Sequence, residues 1–191
     1  MKRIALMTLA LVVFAPALFA QDHGEVGAFA ELFRLQSVSP TINFVGVGGR
    51  ASFNVSPHVQ LEGEISYDFK RNFTTTFSNG FTTAFGSSRL RTLHGLFGPK
   101  IQTNVGPVRA FVTAKGGFLN FGVSDETAPA GFTTQIGNVP SGDTNGVFYP
   151  GGGIEGYLGP VGLRLDVGDE IYFDNGAQNN LRVTFGPHIR F

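Results

Sequence analysis

The sequence predicts an all-β chain: eight antiparallel strands in up-and-down order, closed into a transmembrane barrel. Three observations lead there. Several segments alternate apolar and polar residues at period two, the spacing of a strand whose successive side chains point to opposite faces. Short turns alternate with long polar loops between those segments. Charged residues gather on the polar faces and avoid the apolar ones, as a wall in contact with lipid requires.

The first twenty residues form no part of that barrel. Lys2 and Arg3 precede an apolar run from Ile4 to Val13, and Ala15, Ala17 and Ala20 follow before the polar "QDHG". This is the pattern of a secretory signal peptide, with cleavage expected after Ala17 or Ala20. Residues 1–20 are therefore assigned to the signal and 21–191 to one barrel domain. No later segment approaches the roughly 20 apolar residues of a membrane-spanning helix.

The strands follow in order. Weak alternation at about 25–35 opens the barrel. Strand two, about 42–55, sets Val45, Val47, Ala51, Phe53 and Val55 against Gly46, Gly48, Arg50, Ser52 and Asn54. "VQLEGEISYDFK" (59–70) is the clearest: Val59, Leu61, Ile65, Tyr67 and Phe69 share one face, and Gln60, Glu62, Glu64, Asp68 and Lys70 the other. Weaker strands lie at about 90–102, 108–120 and 147–158. The seventh, about 161–173, separates Leu163, Leu165 and Val167 from Arg164, Asp166 and Glu170. The last, "LRVTFGPHIRF", carries Leu181, Val183, Phe185, Ile189 and Phe191 on one face and Arg182, Thr184, His188 and Arg190 on the other.

"SPH", "TNVG" and "LGP" make the tight turns. Two connections, about 71–89 and 122–145, are long and rich in Thr, Gly, Asn and Ser. Short turns at one end and long loops at the other match an antiparallel membrane barrel.

Composition excludes several functions. Fourteen basic residues balance fourteen acidic ones, so the net charge is zero, with no basic excess to hold nucleic acid. The absence of Cys rules out disulfides, thiolate catalysis and Cys-ligated metals. "GGGIEG" (Gly151–Gly156) and "GVGGRA" (Gly46–Ala51) fit a dinucleotide fingerprint only in spelling, because neither opens a helix, and no cofactor is expected. His23, His58, His94 and His188 lie on different elements, and their spacing supplies no metal site. Ser56 and His58, the one close Ser–His pair, bracket Pro57 in a turn, so catalysis is not expected.

With apolar faces turned outward, eight acids point inward: Glu25, Glu31, Glu62, Glu64, Asp68, Glu155, Asp166 and Glu170. Eight bases join them: Arg50, Lys70, Lys100, Arg109, Lys115, Arg164, Arg182 and Arg190. The exceptions, Arg34, Arg91 and Asp169, fall near strand ends on the long-loop side. An eight-stranded barrel is just wide enough for its own side chains to fill it. The preferred reading is a balanced lumen network carried by Arg50, Glu62, Glu64, Asp68, Arg164, Asp166, Glu170 and Arg182. A narrow, water-lined path for ions or small solutes is the alternative.

The terminal strand also carries a resemblance. An exported chain closing on alternating apolar residues and a final Phe resembles bacterial outer-membrane barrels. "LFGPK", "GGGIEGYL", "VGLRLDVGDEIYF" and "QNNLRVTFGPHIRF" are similar to segments of the small eight-stranded family typified by the OmpA transmembrane domain and OmpX. The resemblance implies an outer-membrane location among lipids, with Phe185, Ile189 and Phe191 forming a signal read by the barrel-assembly machinery. Full OmpA-like proteins add a peptidoglycan-binding domain; no residues follow Phe191 here, so cell-wall anchoring is not expected. The expected function is structural or surface interaction, with a possible extracellular ligand at loops 71–89 and 122–145. A narrow channel is the runner-up, a lipid-modifying enzyme a distant third. A secreted soluble carrier, apolar within and charged outside, would invert the pattern.

Overall fold

The computed structural model describes residues 23–36, 41–78, 83–103, 106–124, 144–174 and 176–191. Residues 1–22, which include the expected signal peptide, residues 79–82 and residues 125–143 lie outside them. Ten strands are present: β1 (Gly24–Leu35), β2 (Ile42–Ser56), β3 (Val59–Ser78), β4 (Thr83–Gln102), β5 (Val108–Ser124), β6 (Thr144–Leu158), β7 (Val161–Asp169), β8 (Ile171–Phe173), β9 (Ala177–Gln178) and β10 (Leu181–Arg190). Every neighbouring pair is antiparallel, β1 pairs with β10, and β5 pairs with β6, so the sheet closes on itself.

Ten strands make eight staves. β8 continues β7 along β6 in unbroken register, Gly151↔Gly168 leading on to Val147↔Tyr172. β9 likewise continues β10, since Leu181↔Asp169 and Tyr172↔Gln178 lie on one register. The interruption falls at Glu170 and at Asn179–Asn180, which leave the ladder together. Glu170 N donates to Asn180 O at 2.7 Å, so the break is bridged by backbone. The fold is thus the expected eight-stranded antiparallel barrel. A twelve-residue stave such as β1 is about 40 Å long at 3.3 Å per residue, enough to cross a bilayer when tilted by about 40°.

The walls follow the alternation. Val45, Val47, Phe53, Ile65, Phe97, Ile101, Val112, Ile154, Leu163, Leu165 and Phe185 are exposed on the outside. Among the described residues no Asp or Glu is exposed, and the exposed Lys and Arg are Arg34, Lys70, Arg71, Arg89 and Arg91. These five share one level at the loop end of β1, β3 and β4. Arg34 pairs with Asn43, and Arg71 Nε donates to Asn43 O at 2.9 Å.

Two expectations need correction. Lys70 is exposed instead of inward, because the β3–β4 register shifts between Asp68 and Arg71 and turns the strand over. The connection 71–89 is largely strand: pairing runs from Arg71↔Leu90 to Ser78↔Thr83, and both β3 and β4 reach 20 residues. Thr and Phe in "NFTTTFS" suit a strand as well as a loop, so this hairpin extends past the other described strands. Of the second connection, residues 122–124 and 144–145 are strand.

A further feature is absent from the sequence reading. Phe33, Leu35, Phe44, Leu90, Leu119, Phe121, Val147 and Tyr172 are buried together inside the barrel at its loop end, with Leu96 and Tyr149 below them. The lumen therefore has an apolar cap above its charged interior.

Candidate functional site

The interior is the site, and it is built in tiers. At the short-turn end, Glu25 from β1 and Glu155 from β6 share the Lys100 ammonium of β4, at 3.3 and 2.6 Å. The Tyr157 hydroxyl lies 2.7 Å from Glu25 and 2.9 Å from Glu155, and Gln60 Nε2 donates to Glu25 at 3.1 Å. Arg109 lies over the Tyr157 ring at 4.8 Å, and His188 meets the same ring edge-on.

In the middle tier Arg164 reaches from β7 across the lumen to β3, the stave opposite. Its guanidinium grips Glu62 with two bonds, at 2.5 and 3.0 Å, and reaches Asp166 at 2.7 Å. Such a two-pronged pairing fixes direction as well as charge. Lys115 of β5 bridges Glu62 and Glu64 at 2.7 and 2.8 Å. Arg50 Nη2 donates to Thr184 at 2.7 Å, and its Nη1 stands 3.7 Å from Asp166. The Tyr149 hydroxyl donates to Asp166 at 2.7 Å.

The upper tier centres on Arg182 and His94. Arg182 bonds Glu31 at 2.9 and 3.1 Å, stands 3.3 Å from Glu170, and also pairs with Glu64. His94 Nδ1 lies 2.6 Å from Glu170, and its Nε2 lies 3.0 Å from Asp68 and 3.1 Å from Thr92. Phe33 packs edge-on against His94, with ring centroids 4.9 Å apart, and so joins this tier to the cap.

All eight residues singled out from the sequence as the lumen network lie inside and are buried. So are Glu25, Glu31, Glu155, Lys100, Arg109 and Lys115, while Arg190 is half-buried. A charge taken out of water is costly unless a partner with good geometry replaces the water, and here the partners come largely from other staves, in the case of Arg164 and Glu62 from the opposite wall. Phe185 faces outward and exposed; Ile189 and Phe191 are half-buried. Phe191 closes the barrel through its backbone, exchanging two 2.9 Å hydrogen bonds with Gly24. Ser56 Oγ accepts from Val59 N at 3.1 Å, a turn contact, and Ser52, Ser66 and His94 are buried in the lumen. Tyr149 and Tyr157 were not singled out from the sequence. Both share the parity of Glu155, which would have placed them inside.

No family model matches the chain, and no curated protein matches it by sequence. Solved structures do match, by fold. Ail of Yersinia pestis, solved with the heparin analogue sucrose octasulfate, is 14% identical over 88% of this chain and 99% of its own, with a TM-score of 0.55. Neisserial surface protein A is 12% identical over 88% and 97%, with a TM-score of 0.61. The outer membrane protein OprG of Pseudomonas aeruginosa is 10% identical over 90% and 97%, with a TM-score of 0.54. The closed sheet, its apolar outer wall and its charged interior define a small eight-stranded transmembrane β-barrel. The chain shares that fold with these bacterial surface and outer-membrane proteins.

Proposed function

We propose that the chain is an integral outer-membrane protein with a structural and surface-interaction role, that it is not an enzyme, and that its lumen does not conduct. The observation carrying this reading is the doubly filled interior. Arg164 and Arg182 reach across the lumen to Glu62 and Glu64 of β3, Lys115 of β5 bridges the same two acids, and an apolar cap lies above them. Water would need both to part. Interaction then falls to the loop end, where the β3–β4 hairpin extends and the 122–145 connection joins β5 to β6. The hairpin above Arg71 carries no charged residue from Asn72 to Ser88, and its backbone edges offer an outside partner a strand to pair with. The cations below it meet the anionic headgroups of the surrounding lipid.

Conductance of the refolded protein in a planar bilayer tests the proposal. A silent, inserted barrel supports it. Discrete steps that change when Arg164 or Glu64 is reversed in charge would replace it with the narrow-pore reading.

A further inference from the structure

The tiers of the lumen are not equally balanced. Among the described buried residues, Glu25, Glu62, Glu64, Glu155 and Asp166 in the lower and middle tiers face Arg50, Lys100, Arg109, Lys115 and Arg164, five against five. In the upper tier Glu31, Asp68 and Glu170 face Arg182 alone. Among these fully buried groups, with His94 counted as neutral and the half-buried Arg190 left out, the excess of two negative charges falls on the surroundings of His94, beneath the apolar cap.

The geometry there is that of a ligand set. His94 Nε2 stands 3.0 Å from Asp68 Oδ2, 3.8 Å from Glu31 Oε1 and 3.1 Å from Thr92 Oγ1. One ligand atom each from Glu31, Asp68 and His94 lies within 4.8 Å of the others. Zinc bonds of about 2.0–2.2 Å to nitrogen and oxygen put tetrahedral neighbours roughly 3.3 Å apart; the His94–Asp68 pair stands close to that spacing, and the Glu31 oxygen, 3.8 Å from Nε2, reaches it with a small side-chain shift. The far side of the imidazole is also furnished. Nδ1 lies 2.6 Å from Glu170 Oε1, the carboxylate–histidine arrangement that fixes ring and tautomer in metal sites. Two further observations point to a missing ligand. Asp68 is fully buried, yet its Oδ1 has no hydrogen-bond partner. Gly46 lies between Glu31 and Asp68 in the register, and a Cβ there would overlap Asp68 Oδ1, so the two carboxylates meet over a cradle only glycine leaves open.

We propose that this cluster binds one divalent transition-metal ion through His94 Nε2, Asp68 and Glu31, with Glu170 holding the imidazole from behind. The two positive charges cancel the excess of the upper tier. Nitrogen and oxygen donors without thiolate suit zinc or its first-row neighbours. Sequence spacing conceals the set, because β1, β3 and β4 bring its members together only when the barrel forms. The other histidine close to two acids, His188, stands where Lys100 pairs with Glu25 and Glu155 and Arg164 brings a second cation to Glu155.

The test uses zinc added during refolding, since the cap covers the site afterwards. The barrel is refolded in detergent with zinc, washed with chelator, and its metal content measured. Retention of one zinc per chain, with an X-ray absorption spectrum showing one imidazole and otherwise oxygen ligands, is the expected result. Glu170→Gln, which keeps shape and hydrogen bonding, lowers zinc affinity by about 10- to 100-fold; His188→Ala leaves it unchanged. If no zinc is retained, or the retained zinc shows several imidazoles or ignores Glu170→Gln, the proposal is overturned. In that case an imidazolium at His94 is the cluster's cation. The wild-type spectrum decides even if a His94→Phe variant fails to fold.

Discussion

Arg164 shows at the scale of one residue why the interior tolerates so much charge. Its guanidinium satisfies Glu62, Asp166 and Glu155 at once and stacks over Phe111 at 4.1 Å, so polar and apolar surroundings both use it. Removing it leaves buried carboxylates without their cation. Arg164→Met therefore costs about 3–5 kcal/mol of stability, read from urea unfolding in detergent. Removing Glu62 as well takes away part of that uncompensated charge. The double variant Arg164→Met with Glu62→Met costs less than the two single changes added together. Strict additivity would mean the pair acts independently and the network is only a list of contacts. A gentler probe is Tyr149→Phe, which deletes one hydrogen bond to Asp166 and costs about 1–2 kcal/mol.

Each stave has two faces with different requirements, and β7 separates them most cleanly. Leu165 faces outward near the middle of the stave, between Val161 at the turn end and Asp169 at the loop end. Leu165→Arg costs about 2–4 kcal/mol in a lipid bilayer, whereas Leu158→Arg, beside the turn, costs about 0–1 kcal/mol. Equal costs at the two depths would argue against a membrane-facing wall. This is also the scale at which the sequence was most legible. Glu62, Glu64, Arg164 and Asp166 occupy the inner parity because period-two spacing ties face to residue number, and hydrophobicity labels the other face. The same rule failed at Lys70, where a bulge after Asp68 shifts the parity and no turn residue announces it. It was also silent at Phe29, Phe33 and Phe44: β1 and β2 carry apolar residues on both faces near the loop end, so alternation shows no contrast there. Asp68 and Glu31 were legible as inward residues, and His94 shares the parity of the inward Lys100, but none of the three was legible as a neighbour of the others. Register between distant strands, which decides that, is written in backbone pairing and not in any one segment. For the terminal stave, the proposed assembly signal predicts that Phe191→Ala lowers the amount assembled in cells. It leaves refolding in detergent nearly unchanged, because Phe191 closes the barrel by backbone bonds to Gly24. An equal loss in both assays would assign Phe191 to stability alone.

For the whole molecule, the arrangement of cap above network makes two seals in series, and that has a measurable consequence. Each seal is held by different physics. The network depends on cross-lumen ion pairs such as Arg182 with Glu64, the cap on apolar packing such as Phe33 with Phe44, whose ring centroids stand 6.2 Å apart. Small substitutions in the cap remove apolar volume but leave the charged tier in place, and the reverse holds for changes in the network. Phe33→Ala with Phe44→Ala is therefore destabilising by several kcal/mol, yet its single-channel trace stays silent. Arg182→Ala with Arg164→Ala and Lys115→Ala also stays silent, because the cap still excludes water. Combining the five changes opens both seals, and discrete conductance steps appear that were absent from each parent. A barrel that conducts after the cap changes alone would show that the ion-pair tiers already pass water and ions, so that the cap was the only closure. Steps in the unaltered protein would mean that neither layer closes the lumen.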